Sequence, residues 1–362
     1  MRLNLPHQRM QLIAQWCTYA IPLACATSRF VADVLLVMTA VLFLVHVIAT
    51  RQSDWLKASW VKIALVLWLH SFFAEDLIGS LGRALSWGRF PMFGAALVYW
   101  VLQDTKSFHR MIISLSVALG FMLLDTAYQY FHGFDILGFA TIPQAGSPRL
   151  TGPFSAPRVG IMLIWMSIPV VSYWLMDSKG HTRNGKPLLL GIAYAVGLLS
   201  VIFMSGERMA FLLTGMSFVL AFFLLPISKW LMIGIGIASA GCIWLLAYTN
   251  PGLVERQMGT TAQVVGEFSG SYYGQIWHSG MAMIADHPAF GVGLRQFRVL
   301  CPKPEYGPTD NIDIRCNIHP HNIYLEWAIE AGLLGLSLFV GMISLWVRMC
   351  IQDVRELRRN PV

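Results

Sequence analysis

The sequence predicts an all-α, polytopic integral membrane protein with about ten transmembrane helices and one long, partly helical loop outside the cytoplasm. Three observations carry that expectation. Of the 362 residues, 56% are hydrophobic and only 12% are charged, whereas a soluble domain carries about twice that charged fraction. Mean hydropathy is +0.58. Apolar runs of about 17 to 23 residues recur along the chain, each long enough to cross a bilayer core as a helix. No repeat with a period of about 20 to 50 residues competes with this reading.

Taken in order, the basic start "MRLNLPHQRM" leads into an apolar run without a small-residue cleavage site. It reads as an uncleaved first helix over 10–28. Further helices are expected at 31–50, 58–74, 90–104, 110–131, 158–176, 187–205, 209–227 and 229–249, with a last one at 322–349. The chain then divides into a bundle with short loops (1–249), a loop carrying site segments (250–321), the final span (322–349) and a tail (350–362). Ten spans put both termini on one side. Fifteen of the 26 lysines and arginines fall on that side and eleven on the other. The long loop holds five of the eleven, and long segments translocate regardless of charge, so the contrast that counts is fifteen to six. Both termini are therefore expected in the cytoplasm, with 132–157 and 250–321 on the opposite face.

That outer face is served almost wholly by arginine, since six of the seven lysines fall inside. Arginine presents a planar fork that grips phosphate oxygens bidentately and stays charged. The plainer alternative is snorkelling to headgroups, or pairing with Glu207, Glu255 and Asp310.

Three outer segments carry candidate chemistry. "RLTGPFSAPRVG" (149–160) is a Pro- and Gly-rich turn that brings Arg149 and Arg158 near the bilayer surface. "MSGERMAF" (204–211) sets Glu207 and Arg208 between two apolar runs with almost no loop. Charges at such depth cost roughly 2.5–3.5 kcal/mol each at the bilayer centre and mark function by default; an interfacial Glu207–Arg208 turn is the alternative. The 250–321 loop contains Arg256 and then "SYYGQIWHSGMAMIADHPAFGVGLRQF", which reads as an interfacial helix stopped at Pro288. Tyr272, Tyr273 and Trp277 suit a headgroup belt or a sugar-stacking wall. Arg295 and Arg298 share a face if that piece is helical. The intervening "GVG" lacks the strand–turn–helix setting of a dinucleotide site.

Four of the six cysteines, Cys17, Cys25, Cys242 and Cys350, fall in or beside apolar runs. Cys301 and Cys316 stand alone in the outer loop and are expected to form a disulfide. A Cys–His zinc site competes, without CxxC or HExxH spacing to support it.

The stretch "CNIHPHNIYLEWAIEAGLLGL" (316–336) ends the series. Asn322, Glu326 and Glu330 fall four apart and form one polar stripe. A continuous helix over 322–349 would be about 42 Å long, against a hydrocarbon core of about 30 Å. Its first two turns would then stand above the core and face a cavity. His319 and His321 lie at that rim, where a neutral imidazole with a pKa near 6.5 can take a proton from a hydroxyl. Interfacial anchoring is the alternative.

At these residues the chain resembles the O-antigen ligase and polymerase family of bacterial envelope glycosyltransferases. The ligase pattern of His, then Asn, Ser or Gln, nine residues, Gly, two residues and Gly, Thr or Tyr is met by His321, Asn322, Gly332 and Gly335. "SGERMAF", "DHPAFGVGLRQFRVLC" and "CNIHPHN" also look like family segments. The resemblance implies an inverting transfer of glycan from undecaprenyl pyrophosphate to an acceptor hydroxyl at the periplasmic face of the inner membrane, with no metal and no cofactor. Expected partners are the lipid-linked glycan, a lipid A-core or growing-glycan acceptor, and membrane lipids; no nucleic acid is expected. His321 would be the general base, His319 its support, and Arg208 a pyrophosphate contact. Many relatives carry an Arg four residues before the loop Trp, where this chain has Tyr273, and that duty is expected to pass to Arg256, Arg295 or Arg298. Guanidiniums suit this chemistry, because a pyrophosphate leaving group gathers negative charge as the bond breaks. A transporter or flippase of lipid-linked sugar, with Asp125 in its path, is the reading from a different class.

Overall fold

Each apolar run named above is helical. The computed structural model describes residues 5–73, 77–144, 147–177, 181–259, 266, 268–316 and 319–359. Its main helices are α1 (Leu5–Thr27), α2 (Arg29–Thr50), α3 (Ser59–His70), α4 (Leu77–Trp87), α5 (Arg89–Ala96), α6 (Thr105–His132), α7 (Val159–Leu175), α8 (Lys186–Ser205), α9 (Arg208–Leu224), α10 (Lys229–Thr249), α11 (Tyr272–Asp286) and α12 (Ile323–Arg359). Five of them, α2, α6, α8, α10 and α12, are long and apolar enough to cross a membrane; α7, α9 and the stretch from α3 to Phe73 are shorter apolar helices. Helices this apolar that still leave Trp230 and Ile237 mostly exposed are dressed for lipid. Extended pairing among the described residues is limited to isolated bridges such as Ile142–Arg149. The chain is an all-α, polytopic membrane protein.

Two expected elements differ. The 90–104 helix is α5 followed by a single π turn, Leu97–Val101. Before it, the segment between the expected helices at 58–74 and 90–104 forms α4, an amphipathic helix. Its Ser80 and Ala84 are buried while Ile78 and Leu85 are exposed, the apolar stripe of a short helix lying at an interface.

The chain forms two compact units. One comprises Met1–Gln11, Thr39–Val101 and Gln263–Ile351; the other comprises Leu12–Met38, Leu102–Ala262 and Gln352–Val362. In the second unit, α6, α7 and α8 share a core of Leu119, Met122, Leu163, Val170 and Ile202, joined by Ala210 of α9. A further cluster of Leu175, Ala195, Met232 and Ile235 brings α10 against α7 and α8. In the first unit, α11 and the loop after it build their own core from Ile276, Met283, Val292, Phe297 and Tyr306, with Ile329 of α12.

That loop is tied from within. Cys301 and Cys316 form a disulfide with their Cα atoms 5.5 Å apart, which removes both sulfurs from any zinc site. Arg315, fully buried, donates to the carbonyls of Pro308 (2.7 Å), Cys301 (2.5 Å), Lys303 (3.3 Å) and Pro302 (3.4 Å). One of the outer arginines is thus a structural hub, its donors taken by backbone oxygens that would otherwise be buried unpaired.

The largest departure lies in α12. The sequence predicts one continuous helix through 349; instead the helix breaks at Gly332 (φ 67°, ψ −178°) and continues to Arg359. Only glycine adopts this region readily. A Cβ there would sit 2.2 Å from the Ala289 carbonyl oxygen. The backbone groups released by the break are all met. Ile329 and Glu330 carbonyls accept from Val292 and Gly293 N–H (both 2.9 Å), and Leu333 and Leu334 N–H donate to Pro288 (2.8 Å) and Ala289 (3.4 Å) carbonyls. The Ala331 carbonyl accepts from His70 Nε2 at 2.6 Å. Non-helical backbone at membrane depth is tolerated when it is buried and satisfied in this way. The "GVG" of 291–293 is therefore the splint of a broken helix, and the outer arm of α12, residues 323–331, is held in place by it.

Candidate active site

In the second unit, guanidiniums gather around the turn between α8 and α9. Arg256 follows α10 in a π turn, is buried, and donates through Nη1 to the Ser147 carbonyl at 2.9 Å. Burial, then the neighbouring Arg149 and Arg208, lower its pKa to about 10, with Glu207 acting in the opposite sense. Its guanidinium lies over Gly206, which ends α8 at φ 69° and where a Cβ would meet Nε at 2.5 Å. A side chain at 206 would displace the guanidinium. Glu207 does not sit idle beside Arg208: its Oε1 accepts from Gly160 N–H at 3.0 Å in the first turn of α7, a favourable place for a carboxylate. Arg158 is the exposed residue just before that helix.

The segment carrying Arg149 is clamped by one side chain. Gln129 of α6 accepts from Thr151 and Gly152 N–H, both at 2.9 Å, and donates to Thr151 Oγ1 (2.8 Å) and the Phe139 carbonyl (2.9 Å). With both ends of its amide satisfied, Gln129 fixes the approach of Arg149. Arg149 Nε is buried and has no hydrogen-bond partner among the described residues. Asp125, one turn earlier, accepts from Ile136 N–H at 2.9 Å, so it anchors the same loop. Three cations around a carboxylate already engaged with backbone form a site for an anion with several oxygens.

In the first unit, His321 precedes the outer arm of α12. Asn322 caps that arm, its Oδ1 accepting from Tyr324 (3.0 Å) and Leu325 (3.2 Å) N–H; the first link of the expected Asn322–Glu326–Glu330 stripe is thus partly spent on capping. His321 has φ 54°, a left-handed conformation uncommon outside glycine that costs of order 1–3 kcal/mol and clusters at functional sites. Its backbone N–H donates to His319 Nδ1 at 3.2 Å, which places the proton of a neutral His319 on Nε2. The two rings lie 4.3 Å apart. Tyr273 meets the His321 ring edge-on at 5.6 Å, and Tyr272 lies at 6.1 Å. Burial, then His319, hold the His321 pKa below its ordinary 6.5, so at neutral pH the imidazole is free of charge.

Most of these residues fall within the stretches that are similar to known proteins. A family model described as O-antigen ligase matches residues 193–340. Those residues, less than half of the chain, are similar to the O-antigen ligase family. A Rickettsia conorii protein described as "Putative polysaccharide ligase" is 23% identical over 313 residues, covering 84% of this chain and 71% of the relative. The activity is accordingly of the O-antigen ligase or polymerase type.

Within the ligase match, Glu207, Arg208 and Arg256 fall in the second unit, and Tyr272, Tyr273, Arg295, Arg298, His319, His321, Asn322, Glu326 and Glu330 in the first. Arg149 and Arg158 precede it. Trp277 packs against Phe268 (5.0 Å) beside the loop core. Arg295 and Arg298 do not share a helical face. Arg295 is left-handed (φ 63°), whereas Arg298 belongs to the single turn Phe297–Leu300. Burial, then Arg83 and Arg298, lower the Arg295 pKa, and Glu330 and Glu326 oppose this. The sequence reading missed Gln129, His70 and Arg83 as positioning or lining residues. The spacing of four between Leu77, Leu81 and Leu85 marks the helix that carries Arg83; a lone His70 in an apolar run carries no comparable signal.

Proposed function

We propose that this protein is an O-antigen ligase. It moves a glycan from undecaprenyl pyrophosphate to a hydroxyl of a lipid A-core acceptor at the periplasmic face of the bacterial inner membrane, with both termini in the cytoplasm. His321 takes the acceptor proton as the hydroxyl attacks the anomeric carbon, which inverts. Arg208, with Arg149 and Arg256, holds the pyrophosphate and stabilises the charge that collects on it. Guanidiniums provide this without a metal, and no cofactor takes part. The observation that carries the reading is His321 itself. It is held in a left-handed conformation at the mouth of α12, kept neutral, and set in the His–Asn–Gly–Gly frame of the family. His319 supports it by accepting its backbone N–H. Arg158, Arg298, Glu207, Glu326, Glu330, Tyr272 and Trp277 contribute to glycan or lipid contacts around these groups.

The runner-up is a polymerase that uses the same donor with a growing glycan as acceptor, and the polysaccharide-ligase description of the Rickettsia relative favours the first reading. A transporter loses its main support because Asp125 is engaged with a loop N–H. The test is a purified assay in lipid nanodiscs with lipid-linked glycan and two acceptors offered separately. Transfer to lipid A-core is the expected result; transfer only to free glycan would make the protein a polymerase, and transfer to neither would sink both readings.

A further inference from the structure

A second feature of the first unit is a cavity of about 330 Å³ lined by Arg83, Trp87, Arg295, Glu326, Trp327 and Glu330, with Arg89 at its wall. Its volume falls in the range of small-ligand sites, about 300–1,000 Å³. Ile323, Glu326, Trp327 and Glu330 occupy one face of the outer arm of α12, at helical spacings of three and four. Glu330 is buried, and its carboxylate accepts the Arg295 backbone N–H. The Arg295 guanidinium lines the cavity instead of closing on its own strand. Arg295 keeps its left-handed backbone directly after the splint that pins Glu330, so two chain segments are locked together with their charges turned to one space.

The lining is amphoteric, and that narrows the ligand. Carboxylates accept hydrogen bonds from hydroxyls, guanidiniums donate to oxygens, and the two indoles, 6.0 Å apart and edge to face, offer apolar area for the C–H faces of a ring. Three arginines outnumber two glutamates, one of them buried, so the lining carries positive charge in excess and suits a ligand with an anionic substituent. We propose that this cavity is an acceptor subsite that holds one sugar residue bearing a carboxylate or a phosphate. Choosing the acceptor's sugar rests on the transfer reading above, in which the base that immediately precedes this helical arm serves the acceptor.

The experiment has two arms. In the first, saturation-transfer NMR on the full-length protein in nanodiscs uses glucuronic acid, glucose 6-phosphate, glucose and inorganic phosphate as probes. The two acidic sugars bind, glucose binds several-fold more weakly, and Arg83→Ala weakens the acidic sugars about tenfold, the loss of one charge-assisted contact. Arg295→Asn does the same while keeping a residue that tolerates φ above zero. His321→Ala leaves probe binding unchanged. No binding, binding indifferent to Arg83→Ala, or inorganic phosphate binding as well as glucose 6-phosphate overturns the proposal. In the second arm, Arg83→Ala raises the KM for lipid A-core about tenfold and leaves the KM for the lipid-linked donor unchanged; a rise for the donor instead overturns the acceptor assignment. Should no transfer occur with any variant, the ligase reading fails, and the first arm still judges the cavity.

Discussion

In the second unit the guanidiniums are braced from behind: Arg256 by the Ser147 carbonyl, Glu207 by an N–H of α7, and the Arg149 segment by the amide of Gln129. In the first unit the polar groups stand on unusual backbone: His321 and Arg295 are left-handed and Glu330 lies two residues before the break at Gly332. The contrast follows from the work each cluster suits. An anion site needs fixed positive charge, and firm side-chain supports hold it in position. A base and its pocket need side chains aimed where a regular helix would not send them, and strain or interruption of the backbone does the aiming.

The largest effect that separates the two is expected from Gly332→Ala. A Cβ at 332 meets the Ala289 carbonyl and forbids the local backbone, costing at least about 3 kcal/mol from strain and lost buried hydrogen bonds together. Transfer should vanish and the melting temperature should fall, while undecaprenyl pyrophosphate binding, measured by filter retention, should survive in the second unit. Loss of both would mean that the two clusters do not stand independently.

Next in size is His321→Ala, expected to lower transfer about 10²–10⁴-fold with the fold and donor binding kept. Because burial holds the imidazole below 6.5, the neutral, proton-accepting form prevails at pH 7. The wild-type rate should therefore fall only as pH drops through a value below 6.5. An acid limb centred above 6.5, or one that persists in His321→Ala, would move the base elsewhere.

Arg208→Lys probes the other cluster and should cost about tenfold or more, since a point charge replaces a bidentate fork. The smallest effect is expected at Tyr273→Phe, less than about threefold in rate. The ring contact on His321 is what the structure uses, and Phe keeps it. A loss of tenfold would assign a chemical task to the phenol, at the position where many relatives carry arginine.

Much of this was legible in the sequence, element by element. The apolar runs predict the helices because a bilayer leaves a backbone little alternative. The isolated pair Cys301 and Cys316 predicts its own disulfide. His321 stands out in the sequence as a candidate through its motif, and Arg208 as a candidate through the cost of placing charge between two apolar runs. The sequence misled where one residue type serves opposite ends. Arg315 counts as an outer cation yet spends its donors on loop carbonyls, and Asn322 counts as a polar stripe residue yet caps a helix.

By itself the sequence determined that the chain is a membrane-embedded helical protein, since burial in lipid is a matter of composition and period. Only the tertiary structure decided that α12 is broken and splinted by 288–293, that Gln129 clamps the Arg149 segment, and that Arg83 and Arg295 share a cavity with Glu326 and Glu330. These depend on hydrogen bonds and close approaches between residues more than twenty positions apart, and no local period records them.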